Sequence, residues 1–216
     1  MKLLLSFGIL FLALSFCGLG ERISKQISDS SEETTGPDTG NPDVSEAQPG
    51  KGDEVEVPKL TAKQEDIIAN GKELVWDEQG LTWKLPKGWN KLSQSKKMLN
   101  YGSPANGFLI VSISSFAENF PVDISLKAFY DSHIRRAKDG EIEDVRYLEI
   151  DGVKGVEFIE SMPEDKSDAR RHQWIAYRRY NGQVQMLNVI VSTKGSNFES
   201  RRDDFKAVMY SMKIGK

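Results

Sequence analysis

The residue types that most often carry chemistry are scarce in this chain. Its 216 residues include one cysteine, Cys17, and two histidines, His133 and His172. A structural zinc site needs four Cys or His ligands and a catalytic site about three, so a zinc site within one molecule is nearly excluded. His133 falls on the inward stripe of a predicted helix and is expected at the edge of the core. His172 opens a predicted strand beside two arginines and is expected at the surface.

Sequence motifs with a known catalytic mechanism are also missing. The chain has no GxSxG elbow, no Walker loop and no GxGxxG after a strand. Loop carboxylates such as Glu141, Glu143, Asp144, Glu164 and Asp165 do not form an EF-hand pattern, and such groups are usually solvated. We therefore expect a protein that is not an enzyme and that binds no cofactor or metal.

The amino terminus is typical of an export signal. One lysine precedes fourteen uncharged, mostly apolar residues, and Cys17 follows them directly. Leu14-Ser15-Phe16-Cys17 resembles the lipobox of bacterial lipoproteins, although Phe16 stands where that motif has a small residue. The resemblance implies a signal peptide over residues 1–16 and acylation, as with palmitate, of Cys17. Signal cleavage after Gly20, or a chance cysteine, are the alternatives.

Residues 17–60 are predicted to be a disordered tether. Ten acidic and three basic side chains between Glu21 and Pro58 give this stretch a charge of −7. Ser, Thr, Gly, Pro and Asn fill most of the rest, and such a composition cannot bury enough apolar surface to fold. The tether would hold a domain away from the membrane to which Cys17 attaches it. An acidic recognition tail is the alternative.

Residues 61–216 are predicted to form one domain of the α+β class. Asp151-Gly152 and Asn181-Gly182 each separate two runs of β-forming residues, and these dipeptides are strong hairpin signals. Two-residue hairpins require antiparallel strands. The remaining predicted elements are helices over about 62–72, from a Ser125 cap to about 137, and over 198–210, with strands over 80–85, 97–101, 108–116 and 212–214.

Several of these segments resemble the PsbP-like superfamily over about residues 72–215. They are Gly80-Leu-Thr-Trp-Lys-Leu-Pro-Lys-Gly-Trp89, the strand from Phe108 to Ser115, the helix opening at Ser125-Leu126, Ile150-Asp-Gly-Val-Lys-Gly155 and Phe205-Lys-Ala-Val-Met-Tyr-Ser-Met-Lys-Ile214. The resemblance implies an antiparallel sheet flanked by helices, an α/β/α sandwich. It also implies a protein that binds or assists other proteins, and many bacterial relatives are envelope lipoproteins.

One cluster of residues is a candidate partner-binding patch. Arginines and aromatic residues alternate along the second hairpin, and this combination is typical of interface hot spots. The candidates are Arg170, Arg171, Trp174, Arg178 and Arg179. Alternation along a strand divides them between its two faces. The alternative is that the aromatic residues lie in the core and the arginines line an exposed sheet edge.

Two classes of function remain open from the sequence. The first is a lipid-anchored cell-envelope protein with a non-enzymatic module that binds an unknown envelope protein. In the lipoproteins that the lipobox resembles, Asp after the cysteine is the familiar inner-membrane retention signal. Gly18 at that position therefore implies, by this resemblance, the outer membrane, on its periplasmic or surface face. The second is a small envelope hydrolase or ligand-binding lipoprotein whose site assembles from residues far apart in the chain. A net charge of −3 argues against a nucleic-acid partner.

Overall fold

The computed structural model describes residues 54–215. The predictions for the signal peptide, for Cys17 and for the tether up to residue 53 lie outside these residues. The elements, in chain order, are α1 (Ala62–Ala69), β1 (Lys72–Trp76), a short 3-10 helix (Asp77–Gln79), β2 (Leu81–Leu85), β3 (Asn90–Gln94), β4 (Met98–Ser103), β5 (Gly107–Phe116), α2 (Val122–Lys138), β6 (Ile142–Ile150), β7 (Val153–Glu160), β8 (Ala169–Tyr180), β9 (Gln183–Lys194), α3 (Gly195–Tyr210) and β10 (Lys213–Ile214).

Two antiparallel sheets form the centre of the domain. The larger has the strand order β3-β4-β5-β9-β8-β7-β6, and the smaller has the order β1-β2-β10. The turns β6–β7 and β8–β9 have positive φ at both central residues, 49° and 79° at Asp151-Gly152 and 50° and 71° at Asn181-Gly182. These are the angles that a two-residue hairpin turn requires. The predicted hairpins and the α+β class are therefore confirmed.

Each face of the large sheet packs against a different layer. One face contacts α3 and the small sheet, and all four tryptophans lie in this core. The opposite face packs β6, β7 and β8 against α2, with Leu126 and Phe158 among the buried residues. Helices therefore lie on both sides of an antiparallel sheet, as the α/β/α prediction states. The three-stranded sheet is an addition to that arrangement.

Some predicted boundaries are wrong. The first helix was predicted to reach about residue 72, but it ends at Ala69 with Asn70 as its C-cap. β1 begins at Lys72 and was not predicted. β3 has no prediction, and all five of its residues are exposed, so the alternation that indicates a strand is absent. Ser125 does not cap α2: the helix begins at Val122, and the Ser125 hydroxyl lies 2.7 Å from the Tyr177 hydroxyl.

The predicted tether is too long at its carboxyl end. Residues 54–60 lie against the folded domain, and Glu56 forms a parallel bridge with Leu148 at the edge of β6. The Glu56 N–H donates to the Tyr147 carbonyl at 3.0 Å, and the Glu149 N–H donates to the Glu56 carbonyl at 2.8 Å. Val55 packs against the core beneath α2. This segment is therefore part of the domain.

Candidate functional site

The five predicted partner-binding residues do not form one surface patch. Arg170, Trp174 and Arg178 point to the inner face of β8 and are 2%, 0% and 6% exposed. Arg171 and Arg179 are on the opposite face, and their side chains are 48% and 69% exposed. The expectation that the arginines are surface groups is thus wrong for Arg170 and Arg178. Partner binding by Arg171 and Arg179 stays a prediction.

Arg170 joins β8 to α3 and β6. Its guanidinium donates to the Glu160 carbonyl at 2.7 Å, to Glu199 at 2.6 Å and to Glu143. It also lies over the Phe198 ring, 4.4 Å from the centroid. All three guanidinium nitrogens donate within the fold, so this arginine has a structural role.

Arg178 is a buried cation bound by neutral acceptors. It donates to the Gln79 carbonyl at 2.6 Å and to the Gln185 side chain at 2.9 Å, and it lies 4.0 Å from the centre of the Tyr180 ring. Burial lowers the pKa of Arg178 to about 10, with a smaller opposing effect of Tyr180. The side chain thereby attaches the 3-10 helix to the sheet.

The most unusual ionisable pair in the described chain is Glu157 with His172, on neighbouring strands β7 and β8. Their side chains are 2% and 1% exposed, and His172 Nε2 donates to Glu157 Oε1 at 2.6 Å. The expected surface position of His172 is therefore wrong. The sequence could have indicated this burial. His172 and Trp174 are two residues apart on one strand and therefore share a face, and Trp174 is in the core.

Two further side chains complete this buried site. The Tyr210 hydroxyl on α3 donates to Glu157 Oε1 at 2.7 Å, and Arg146 Nε on β6 donates to Glu157 Oε2 at 2.7 Å. Burial alone raises the pKa of Glu157, but the bond from His172 and the charge of Arg146 outweigh it and lower that pKa to about 2. The pKa of Tyr210 is raised, first by burial and then by the Glu157 charge.

A cleft of about 610 Å³ opens above Arg146 and Tyr210. Its walls come from residues 54–59, from Thr61 and Gln64 in and before α1, and from Lys206 on α3. Arg146 also binds Glu56 at 2.8 Å, so one wall of the cleft is held by an ion pair. His172 does not line the cleft, and Glu157 lies behind Tyr210. The cleft therefore presents the cations Arg146 and Lys206 and the Tyr210 hydroxyl opposite the carboxylates of Glu54 and Glu56, while Glu157 and His172 stay inside.

This arrangement is better suited to holding charge than to transferring protons. A carboxyl group with a pKa near 2, such as that of Glu157, is ionised at neutral pH and is a weak base.

His133, the other histidine, donates from Nδ1 to the Phe129 carbonyl at 2.8 Å and stacks on Phe158, as expected for the edge of the core. Among residues 54–215, no group of three potential ligands converges on a metal position.

A second site is the part of the large sheet that α2 leaves uncovered. On this face the pairing places Ile110 beside Ile190, and Ser112 beside Asn188. Ile190 pairs in turn with Gln173, whose amide donates to Asn188 at 2.6 Å. All of these side chains are only half-buried. We call Phe108, Ile110, Ser112, Asn188 and Ile190 the open face; it carries no charged side chain.

The described residues thus define a two-sheet α+β domain with a polar cleft and an open sheet face. No protein-family model matches the chain, and no curated protein matches it by sequence. No helix within residues 54–215 combines the length and the apolar character needed to cross a bilayer. The predicted layering, an antiparallel sheet between helices, is confirmed.

Similar folds occur among solved structures. A protein of Bacteroides thetaiotaomicron has 13% identity and a TM-score of 0.44, covering 68% of this chain and 49% of its own, so this chain spans about half its length. LpqN, involved in cell envelope biogenesis of Mycobacterium tuberculosis, has 12% identity and a TM-score of 0.48 over 68% of this chain and 86% of its own. A cyanobacterial PsbP from Synechocystis has 14% identity and a TM-score of 0.43, and the match covers 67% of this chain and 92% of its own. These similarities concern the fold.

Proposed function

We propose that this chain is a lipid-anchored protein of the bacterial cell envelope whose domain is a non-enzymatic module for binding another protein. The acyl chains on Cys17 hold it on the membrane, and the acidic residues that follow give the domain reach. Several acyl chains on one residue bind a membrane stably, whereas a single chain binds only marginally. The apolar run that ends at the only cysteine supports this anchoring.

The observation that carries the binding function is the open face. Strands in the middle of a sheet usually bury both faces or present one polar face to water. Here Phe108, Ile110 and Ile190 instead lie half-buried among short hydroxyl and carboxamide side chains. An uncharged surface of this kind fits the apolar and hydrogen-bonding surface of a folded protein. The partner is therefore an envelope protein with a neutral, flat contact surface.

Site-specific photocrosslinking in the native host tests this function. A photoreactive residue at Ile110 or Ile190 is expected to give one discrete crosslinked product in membranes. The same residue at Ile124 is the control, because that side chain is apolar and 72% exposed but lies on α2. Equal or no crosslinking at all three positions would contradict the proposal. An Ile110→Asp variant is expected to abolish the product formed from position 190.

The anchor needs its own test. Intact mass of the mature protein is expected to show several acyl chains on Cys17, and a Cys17→Ser variant is expected to leave the membrane fraction. A mature chain that starts at Glu21 without lipid would show that the protein is secreted, and it would remove the anchoring part of the proposal. Crosslinking from the open face is a separate observation and can succeed in either case.

The cleft favours a second candidate, the binding of a small polar ligand by an envelope lipoprotein. Arg146, Lys206 and the Tyr210 hydroxyl face a cavity of about 610 Å³, large enough for a small ligand. A ligand there would raise the melting temperature of the parent and not that of a Lys206→Glu variant. Within residues 54–215 Lys206 has no carboxylate within 4 Å and acts on Asp203 only through its charge, because Lys63 forms the direct ion pair with Asp203, so that variant is expected to fold.

A further inference from the structure

Positive charge is concentrated in one part of the domain. Residues 79–117 contain five lysines and no aspartate, glutamate or arginine. These residues include β2 to β5. The domain as a whole, residues 59–216, has 25 basic and 22 acidic side chains, so this segment more than accounts for its net charge of +3.

Three of these lysines surround an apolar tip. Lys91, Lys96 and Lys97 are exposed and have no carboxylate within 4 Å among residues 54–215. Leu92 and Met98, in the same hairpin, are 56% and 46% exposed. We call these five residues of β3, β4 and their turn the lysine hairpin. A bulge between Lys91 and Ser93 places Leu92 outside the regular pairing, so its side chain has no cross-strand partner.

We propose that the lysine hairpin docks the domain on an anionic phospholipid surface. Lysines attract such a surface by charge, and exposed aliphatic side chains can enter the boundary between headgroups and acyl chains. The absence of arginine favours a diffuse negative surface over a single bound phosphate, because arginine is the residue that binds phosphate through two parallel bonds. No cavity with converging donors is present at the turn, where a shallow depression holds Glu78 beside Lys91 and Lys96.

The position of the hairpin in the sheet allows this contact without disturbing the rest of the domain. β3 is one edge of the seven-stranded sheet and β6 is the other. Six spacings of about 4.8 Å place them roughly 29 Å apart. Residues 54–57 occupy the β6 edge, so the chain enters the domain far from the lysine hairpin. The residues between Cys17 and Glu54 can span at most about 130 Å, enough for either edge to reach the membrane.

Vesicle binding tests the proposal. The protein is the chain from residue 17 with Cys17→Ser, which keeps every buried residue of both cores. It is expected to sediment with vesicles of phosphatidylglycerol and phosphatidylcholine at low salt, less at high salt, and not with phosphatidylcholine alone. Each lysine near an anionic surface is worth about fivefold in affinity. Removing the charges of Lys91, Lys96 and Lys97 should therefore weaken binding about a hundredfold, and Lys91→Glu, Lys96→Glu and Lys97→Glu together should weaken it at least that much.

A matched variant separates this site from overall charge. Reversal of Lys138, Lys166 and Lys194, which are exposed on other parts of the domain, changes the net charge equally and is expected to leave most of the binding. Equal losses in the two triple variants, or no binding of the parent, would overturn the proposal. The glutamates of the lysine-hairpin variant are charged, as the lysines are, and charged residues at a sheet edge prevent strand pairing between molecules. A loss of vesicle binding by that variant would therefore not come from aggregation.

The aliphatic residues distinguish a membrane from an acidic polypeptide. Leu92→Ser with Met98→Ser is expected to weaken vesicle binding about tenfold, because two partly inserted side chains are lost. Unchanged vesicle binding by that variant would contradict insertion. The acidic residues 21–53 of the chain are the competing occupant. If a peptide of that sequence binds the lysine hairpin and the parent does not bind vesicles, the acidic segment covers this surface and the membrane proposal fails.

Discussion

The buried carboxylate Glu157 should contribute several kilocalories to stability at neutral pH. It accepts bonds from His172, Tyr210 and Arg146, and its side chain is 2% exposed. A Glu157→Gln substitution keeps the shape of the side chain and removes its charge. Arg146 then loses the charge that offsets its desolvation, His172 loses its carboxylate acceptor, and unfolding becomes easier.

The pKa of Glu157 sets the size and the pH range of this effect. In the folded protein burial opposes ionisation, but the bond from His172 and the Arg146 charge lower the pKa from 4.5 to about 2. A carboxyl group with a lowered folded pKa stabilises the protein above its unfolded pKa and loses that effect as pH falls. A change of this size corresponds to about 3 kcal/mol. The parent should therefore exceed the variant by about 3 kcal/mol at pH 7, with the difference disappearing between pH 4.5 and pH 2.

Urea unfolding followed by tryptophan fluorescence measures this difference, because all four tryptophans are buried. The comparison must be made at several pH values. Glu199 also has a lowered pKa, mainly through its bond to Arg202, and subtracting the variant removes its contribution. Glu118→Gln is the control, since that side chain is 82% exposed and should contribute less than about 1 kcal/mol. Equal stability of Glu157→Gln and the parent at pH 7, or a difference that does not change with pH, would refute the reasoning.

Three further substitutions test the packing. Arg170→Ala should cost about 3 kcal/mol in urea unfolding, because it removes a buried side chain that packs on Phe198 and donates to three acceptors. Arg171→Ala, at a half-exposed position, should cost less than about 1 kcal/mol, and similar losses would contradict the assigned faces of β8. Gly155→Ala should lower the melting temperature and the free energy of unfolding by about 1–3 kcal/mol, because the added carbon would lie 2.5 Å from the Trp174 ring. An unchanged melting temperature would show that the ring can move. Thr61→Ala should cost about 1 kcal/mol by removing the α1 capping box, and Thr61→Ser should restore it.

The parts of the fold that could be predicted depend on neighbouring residues. The Asp-Gly and Asn-Gly turns fix their hairpins because both central residues must take positive φ, which these residue types tolerate. The β3 strand could not be predicted, because its five residues are all exposed and the edge position leaves no alternation to detect. The strand predicted over residues 212–214 forms as β10, and it pairs with β2 in the smaller sheet, which no local pattern indicates. That choice depends on contacts between residues far apart in sequence.

The buried site was harder to predict because its members come from four elements. Arg146, Glu157, His172 and Tyr210 lie on β6, β7, β8 and α3, and only the strand order brings them together. Charge suggested that the histidine and the arginines of β8 would be exposed. Their spacing from Trp174 indicates the opposite for Arg170, His172 and Arg178, because residues an even number of positions apart on a strand share one face. This spacing was the better guide, since it holds whatever the residue type.

The inner face of β8 explains why binding should use the other surfaces. Arg170, His172 and Arg178 lie along it on either side of Trp174, and each is bound by a different element of the fold. Arg170 contacts α3, His172 contacts β7, and Arg178 contacts the 3-10 helix. A polar group that is already bound cannot be offered to a partner without leaving its acceptors unpaired, which costs more than a typical contact gains. Among residues 54–215 the lysines of the lysine hairpin form no ion pair, and the only side-chain bond on the open face is the one that Asn188 accepts from Gln173. A partner or a membrane can therefore gain contact on these surfaces without dismantling the fold.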